Sequence, residues 1–449
     1  MVEQLDTDYL IIGAGASGMA FADEIVAQCK RSRLIIVDRR ATPGGHWNNA
    51  YQFVTLHQPA LYYGVNSERL EQSRDDLASK QDIVEYYARV LDKLCATGRV
   101  HFLGNCEYQG EGRVASLSGD GQTYQVTVQR RVVDATDYRV SVPSTRPPEY
   151  AVAEGIHCVP INALSDLQEG WSRFVVIGAG KTGIDAVLGL IDGGIEPDRI
   201  TWIVSNDAWL INRDTMAPDL AAVLVAKQLR ETCSSTDVAD YFRRFEEQDW
   251  FIRVDPSVPT TAFRCATVNR QELESLRRVQ DVVRLGRVSR IEAEEIVLER
   301  GSIPTNSEAL HVDCTANGLS RRPLRPVFDE ARIILQPVTL CQPAMSAALI
   351  GYVELLKMSD ERRNSMMQPC PHPTVPSDYL ITVQAMFSNL AAWPLKVTWW
   401  TMTRRLSAIS HMSLLSKASF LFSIFRWFSA SRTKVDEFIR EIEANKKSP

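Results

Sequence analysis

Two glycine-rich segments, Gly13-Ala14-Gly15-Ala16-Ser17-Gly18 and Gly178-Ala179-Gly180-Lys181-Thr182-Gly183, start 165 residues apart in this chain. Each follows an apolar run, Tyr9-Leu10-Ile11-Ile12 and Phe174-Val175-Val176-Ile177, and each opens a stretch with helical spacing. In that strand–turn–helix setting the first glycine permits a tight turn, the second lets backbone approach a pyrophosphate, and the third lets helix pack on strand. Free N–H groups at the helix start then face the phosphates. Two such segments in one chain imply two bound dinucleotides, and so a flavin that exchanges electrons with a nicotinamide.

The two halves repeat one plan. After the first fingerprint the strand Leu34-Ile35-Ile36-Val37 ends in Asp38, twenty residues past Gly18, where a carboxylate can hold the ribose hydroxyls of an adenosine. Alternating stretches around Val100–Phe102, Val114–Leu117 and Tyr124–Val128 predict a β-meander that closes on Val132-Val133-Asp134-Ala135-Thr136. The second half follows with Ile200–Val204, helices, Val282–Leu285 and Ile296–Leu298, and closes on His311-Val312-Asp313-Cys314-Thr315-Ala316. The expected fold class is α/β, with two nested Rossmann-like dinucleotide-binding domains and a helical C-terminal extension. The flavin domain takes residues 1–164 and 312–390, the inserted nicotinamide domain 165–311, and the extension 391–449. Pro143, Pro147 and Pro148 mark the linker, and Ser346–Ile350 predicts a helix whose start faces either the flavin or only packed side chains.

Composition narrows the classes. With 449 residues, a net charge of −5 and 23% charged residues, the chain lacks the basic surplus of a nucleic-acid binder. Asp6 and Asp8 stand where a signal peptide would need basic and then apolar residues, so a cytoplasmic setting is expected. Nine scattered cysteines predict neither a disulfide framework nor the Cys-x-x-Cys relay of disulfide-reducing flavoproteins, and no metal spacing occurs among the seven histidines. Residues 391–428 carry Trp393, Trp399, Trp400 and Trp427, but the uncharged run Ala418–Phe425 is too short to span a bilayer. That segment reads either as a helical lid or dimer partner, or as an interfacial helix with Lys417 and Arg426 at its polar edge.

Both fingerprints, Gly44-Gly45-His46-Trp47, Asp134-Ala135-Thr136 and Asp313-Cys314-Thr315-Ala316-Asn317-Gly318 together resemble the FAD- and NAD(P)H-dependent flavoprotein monooxygenases. That superfamily includes flavin-containing, Baeyer–Villiger and N-hydroxylating types, and the similarity covers roughly residues 5–355. The resemblance implies FAD held by Gly13, Ala14, Gly15, Ala16, Ser17, Gly18, Asp38, Arg39, Gly45, His46, Trp47 and Thr136, with Asp313, Asn317 and Gly318 completing the cofactor contacts. It implies a nicotinamide dinucleotide at Gly178, Gly180, Lys181, Thr182, Gly183, Ser205 and Asn206. NADPH, NADH and no nicotinamide all stay open there. Ser205-Asn206-Asp207 lacks the arginine that reads a 2′-phosphate, Lys181 or Arg213 is the substitute expected, and Asp207 suits NADH. The chain departs from the Baeyer–Villiger signature between Tyr150 and Pro160, and Asp137 replaces the glycine usual after Ala135-Thr136.

By position in such enzymes, His57 and Gln58 are the catalytic candidates, as contacts to the flavin or its oxygen site; the alternative is a packing histidine beside Pro59. Asp185 and Trp209 either line the nicotinamide cleft or serve as surface and core residues. The reaction implied is oxygenation of a small apolar organic molecule by O2 through a flavin C4a-(hydro)peroxide, with secondary metabolism as its setting. Two other classes stand beside it: a flavoenzyme that does not use NADPH, and a membrane- or partner-binding protein, including a homo-oligomer, on a nucleotide fold.

Overall fold

The computed structural model describes residues 2–71, 73, 77–138, 140–166, 170–315, 318–319 and 322–447. In chain order the first unit holds β1 (Val2–Ile12), α1 (Ala16–Gln28), β2 (Leu34–Val37), α2 (Lys80–Ala96), β3 (Val100–Leu103), β4 (Cys106–Gly110), β5 (Arg113–Ser116) and β6 (Thr123–Asp134). β3, β2, β1 and β6 lie side by side and parallel, and two short later strands, Arg332–Ile334 and Phe328–Asp329, extend the sheet beyond β6. The sheet branches at the twelve-residue β6: Thr123–Gln125 pair antiparallel with β5, and β6 runs parallel to β1 from Val2↔Thr123 to Ile12↔Asp134.

Alternation along the strands sorts the two faces. Tyr9, Ile11 and Ile36 point into a core with α1, α2 and the later helix α7, whereas Leu10, Ile35 and Val37 meet Cys106, Val114 and Val126 of the meander. Both faces are covered, so these strands read as continuous apolar runs rather than as an alternating pattern.

The second unit repeats the design. Its parallel sheet has the order Val282–Val283, Ile200–Ile203, Arg173–Ile177, Ala309–Asp313, Cys158–Pro160. Phe174, Val176 and Trp202 face α3 (Lys181–Asp192), while Val175, Ile177 and Ile203 face the antiparallel strands Val288–Ile291 and Glu295–Leu298. Then come α4 (Pro218–Ser234), α5 (Val238–Glu247) and α6 (Arg270–Arg277). The pairing shows which neighbours the linker strands take. Cys158–Pro160 joins the second sheet and Ala151–Val152 pairs with Val288–Ile291.

The remaining helices are α7 (Pro343–Glu354), α8 (Asp360–Met366), α9 (Pro376–Ala392), α10 (Leu395–Thr403) and α11 (Leu414–Lys447). α7 starts three residues before the expected Ser346, because Pro343 takes the first helical position, where a missing N–H costs nothing. The helical extension also starts earlier than residue 391, with α9. It straps both units. Trp400 of α10 is buried, donates its indole N–H to Glu24 on α1 (2.8 Å) and stacks on Tyr352 of α7, while Ser431 of α11 bonds the Leu229 carbonyl of α4. A disulfide joins Cys265 to Cys341 across 76 residues of chain, a pairing made by the fold of which linear spacing gives no sign.

Candidate active site between two dinucleotide cradles

Each fingerprint builds the same cradle. Gly13 and Gly178 adopt left-handed backbone (φ 105° and 120°) to turn out of their strands. A Cβ on Gly18 would lie 1.9 Å from the Gly13 carbonyl oxygen, and one on Gly183 the same distance from that of Gly178. These third glycines are therefore required for helix to close on turn. The middle glycines differ. A Cβ on Gly180 would meet nothing within 4 Å, and one on Gly15 would meet only the Gly45 Cα at 3.6 Å. Packing does not require glycine there; a ligand's approach does. α1 and α3 both begin without a side-chain cap on Gly15 or Gly180, which leaves their first N–H groups to an anion. Ala14, Ala16 and Ser17 complete the first loop and Thr182 the second.

Around the first cradle Asp38 is buried, accepting the Ala14 N–H (2.7 Å) and the Arg40 N–H (2.8 Å), so it fixes the loop from below. Gly44 donates to the Ala14 carbonyl (2.9 Å), and a Cβ on Gly45 would stand 3.0 Å from the Gly15 Cα. His46 stacks on Trp47, whose indole N–H reaches the Tyr63 hydroxyl (2.8 Å). Thr136 turns back onto Asp134 through its N–H and hydroxyl, beside Gly13. Arg39 lies at the open end with Arg40, Thr42, Asn48 and Asn49.

Asp313 corrects one expectation. Grouped with the first cradle from sequence, it ends a strand of the second sheet, takes the Thr315 N–H and hydroxyl, and sets Cys314 against Gly178. It is the counterpart of Asp134 in the repeated plan. Asn317 lies outside the described residues; Gly318 forms a short ladder with Ser141.

The stretch from Tyr51 to Tyr62 crosses from one unit to the other. Tyr51 donates its hydroxyl to Asp185 on α3, and Lys181 of the second fingerprint holds the other oxygen of that carboxylate. Burial and the adjacent Asp185 push the Tyr51 phenol far up, so it stays a donor. Phe53 packs on Gly189, the His57 carbonyl accepts from Thr267, and Tyr62 donates to the Met216 carbonyl (2.8 Å). His57 thus sits at the junction. Its Nδ1 is shut off from solvent without a hydrogen-bond partner, and burial, with the positive charges of Lys181 and Arg213, lowers its pKa to about 3. Gln58 is buried and accepts from Gln342, the residue that caps α7, so the start of α7 faces this junction.

The second cradle opens on a cleft lined by Ala179, Trp202, Asn206, Asp207, Val282 and Arg284, with Arg253 beside them. Arg284 holds both oxygens of Asp207 (3.0 and 3.2 Å) and reaches Asp255 (3.2 Å). Arg253 lies over the Trp209 ring and pairs with Glu246. Neither Lys181, paired with Asp185, nor Arg213, paired with Glu272, lines this cleft; its arginines are Arg284 and Arg253. Trp209 is a core aromatic stacked on Phe242 and does not line the cleft. Ser205 precedes the cleft residues and takes a weak bond from Asn206 (3.4 Å). Arg284 stood beyond reach of the sequence reading because it lies some 80 positions on; the available signal was that it follows Val282-Val283, the strand edging the same cleft.

A model of the NAD(P)-binding Rossmann-like domain matches residues 11–67. The uncharacterized protein Rv2000 of Mycobacterium tuberculosis is 42% identical over 429 residues, which are 91% of this chain and 79% of that one. The probable FAD-binding monooxygenase AlmA of Acinetobacter baylyi is 25% identical over 197 residues, 42% of this chain and 39% of its own. Among solved structures, a doubly substituted flavin monooxygenase from Stenotrophomonas maltophilia aligns with 79% of this chain and all of its own, at a TM-score of 0.50 and 16% identity, which shows the fold.

The chain shares one family with Rv2000, 42% identical over 91% of this chain, and its fold is that of the flavin monooxygenases.

In both cradles the glycines separate packing from ligand approach. Gly183→Ala forces a Cβ onto a carbonyl oxygen and should cost 1–3 kcal/mol or more, roughly the range for overpacking. Gly180→Ala should leave the melting temperature within about a degree while abolishing nicotinamide-dinucleotide binding in a titration. Equal stability losses in both variants would contradict this division.

His57 carries a pH signature. Its folded pKa of about 3 lies below the ordinary 6.5, so the unfolded chain binds a proton first and stability falls as pH drops from about 6.5 toward 3. His57→Gln should flatten that acid limb relative to wild type in melts taken at stepped pH; parallel curves would show that His57 protonates freely.

Proposed function

We propose that this flavoprotein binds FAD at the first cradle and NADPH at the second, and oxygenates a small apolar organic molecule with O2. The observation that carries the reading is the junction at Tyr51–Gln58, which one unit supplies and the other holds. FAD fits the first cradle on two counts: the Gly15–Gly45 approach leaves no side chain over the loop, and α1 begins uncapped. FAD held by the Gly13–Gly18 loop, Asp38 and Gly45 would supply the hydride-accepting and O2-activating chemistry that no side chain can. The protein's own residues do the rest. Asp38 and the α1 start hold the pyrophosphate loop in place, His57 stays neutral, and its unpartnered Nδ1 provides a hydrogen-bonding atom closed off from solvent. Gln58 and Gln342 fix one another beside it.

NADPH is favoured because Asp207, the carboxylate that would select a free ribose, is occupied by Arg284, with Arg253 in the same cleft. The setting in secondary metabolism belongs to this proposal, as does a flavin domain split around an inserted nicotinamide domain. Anaerobic mixing with NADPH should bleach the bound flavin, and air should restore its colour with O2 consumed. Arg284→Gln should lower the reduction efficiency with NADPH by about 10- to 100-fold, the span of one charged hydrogen bond, and spare NADH. A flavin that stays oxidised would overturn the reading, and an equal loss with both cofactors would overturn the choice of NADPH.

A further inference from the structure

α11 is apolar on two faces. Its inward side, with Trp427, Phe428, Val435 and Phe438, joins the core that α4, α5 and α9 share. Its outward side in the first half carries Leu414, Leu415, Leu421, Phe422 and Phe425, of which Leu414 and Leu415 are 85% exposed and Phe425 90%. At 100° per residue these positions fall within an arc of about 120°, the width of an interfacial stripe. Lys417 and Arg426 stand at its two edges, and α10 adds exposed Leu395 and Trp399 beside Lys396. A helix apolar all round is normally enclosed. Here one side has no partner among the described residues, and such a patch marks an interaction surface.

Charge identifies the occupant. Residues 379–435 hold seven basic side chains and no acidic one, in a chain whose net charge is −5; Arg405 is buried against Glu71 and Lys434 pairs with Glu437, so Lys396, Lys417 and Arg426 are the basic groups that border the apolar face. A second copy would bring the same basic surface against itself. No helix of the described residues is long and apolar enough to cross a membrane. We propose that the first half of α11, with α10, rests on an anionic lipid bilayer, its Leu and Phe side chains in the headgroup boundary and its basic edges against the lipid phosphates. This inference stands on the surface alone and is independent of the proposed reaction.

The test is flotation of the full-length chain with vesicles of equal phosphatidylglycerol and phosphatidylcholine, against vesicles of phosphatidylcholine alone. Binding to the anionic vesicles is expected, weakened several-fold at 0.5 M salt. Each of Lys417→Gln and Arg426→Gln should reduce the partition coefficient about fivefold, the worth of one surface charge. The pair Phe422→Ser and Phe425→Ser should reduce it tenfold or more, with the melting temperature held because both side chains face solvent. No flotation on either vesicle, or equal flotation of wild type and the double variant, would overturn the proposal. So would a solution dimer that the double variant converts to monomer without any vesicle binding, since the face would then join two copies.

Discussion

The carboxylate of Asp185 is the point on which the arrangement turns. It lies on the first turns of α3, just past the second fingerprint, and is shared by Lys181 from that fingerprint and Tyr51 from the first unit. A carboxylate only 13% exposed gains from such partners, because an unpaired one would be costlier to place there. Since Tyr51 follows Gly44-Gly45-His46-Trp47 so closely, one hydrogen bond relates the two cradles through a short, well-packed stretch of chain. Phe53 on Gly189 and Thr267 on the His57 carbonyl reinforce the same crossing.

From that crossing follows the polar chemistry of the junction. His57 arrives on the chain that Tyr51 anchors, close to two cations, and its neutral state is a consequence of burial first and of Lys181 and Arg213 second. The second unit thereby sets the protonation of a residue carried by the first. Gln58 links in turn to Gln342 at the start of α7, so three elements distant in sequence converge on one small volume.

Much of this was legible in the sequence, and for identifiable reasons. The glycine loops, the strand end at Asp38 and the paired closures at Asp134 and Asp313 are local features whose physics acts over a few residues. The structure shows why the closures match: in each unit an aspartate takes the N–H and hydroxyl of the threonine two positions on, next to the turning glycine. What the sequence withheld was non-local. Arg284 reaches Asp207 and Cys265 meets Cys341 only after the chain folds, and the short strand at Cys158 shows its allegiance only by pairing. Trp209 lay near the cleft by position but packs into an aromatic core, because the rings of Phe242 and Phe251 beside it offer more burial than the cleft does.

The claim at the centre is that Tyr51 aligns the two cradles through Asp185. The measurement is the rate of anaerobic flavin reduction by NADPH in Tyr51→Phe, taken with its flavin content and melting temperature. Removal of one charge-assisted hydrogen bond should slow reduction by about 10- to 100-fold while flavin content holds. An unchanged rate in a fully flavinated variant would contradict the alignment.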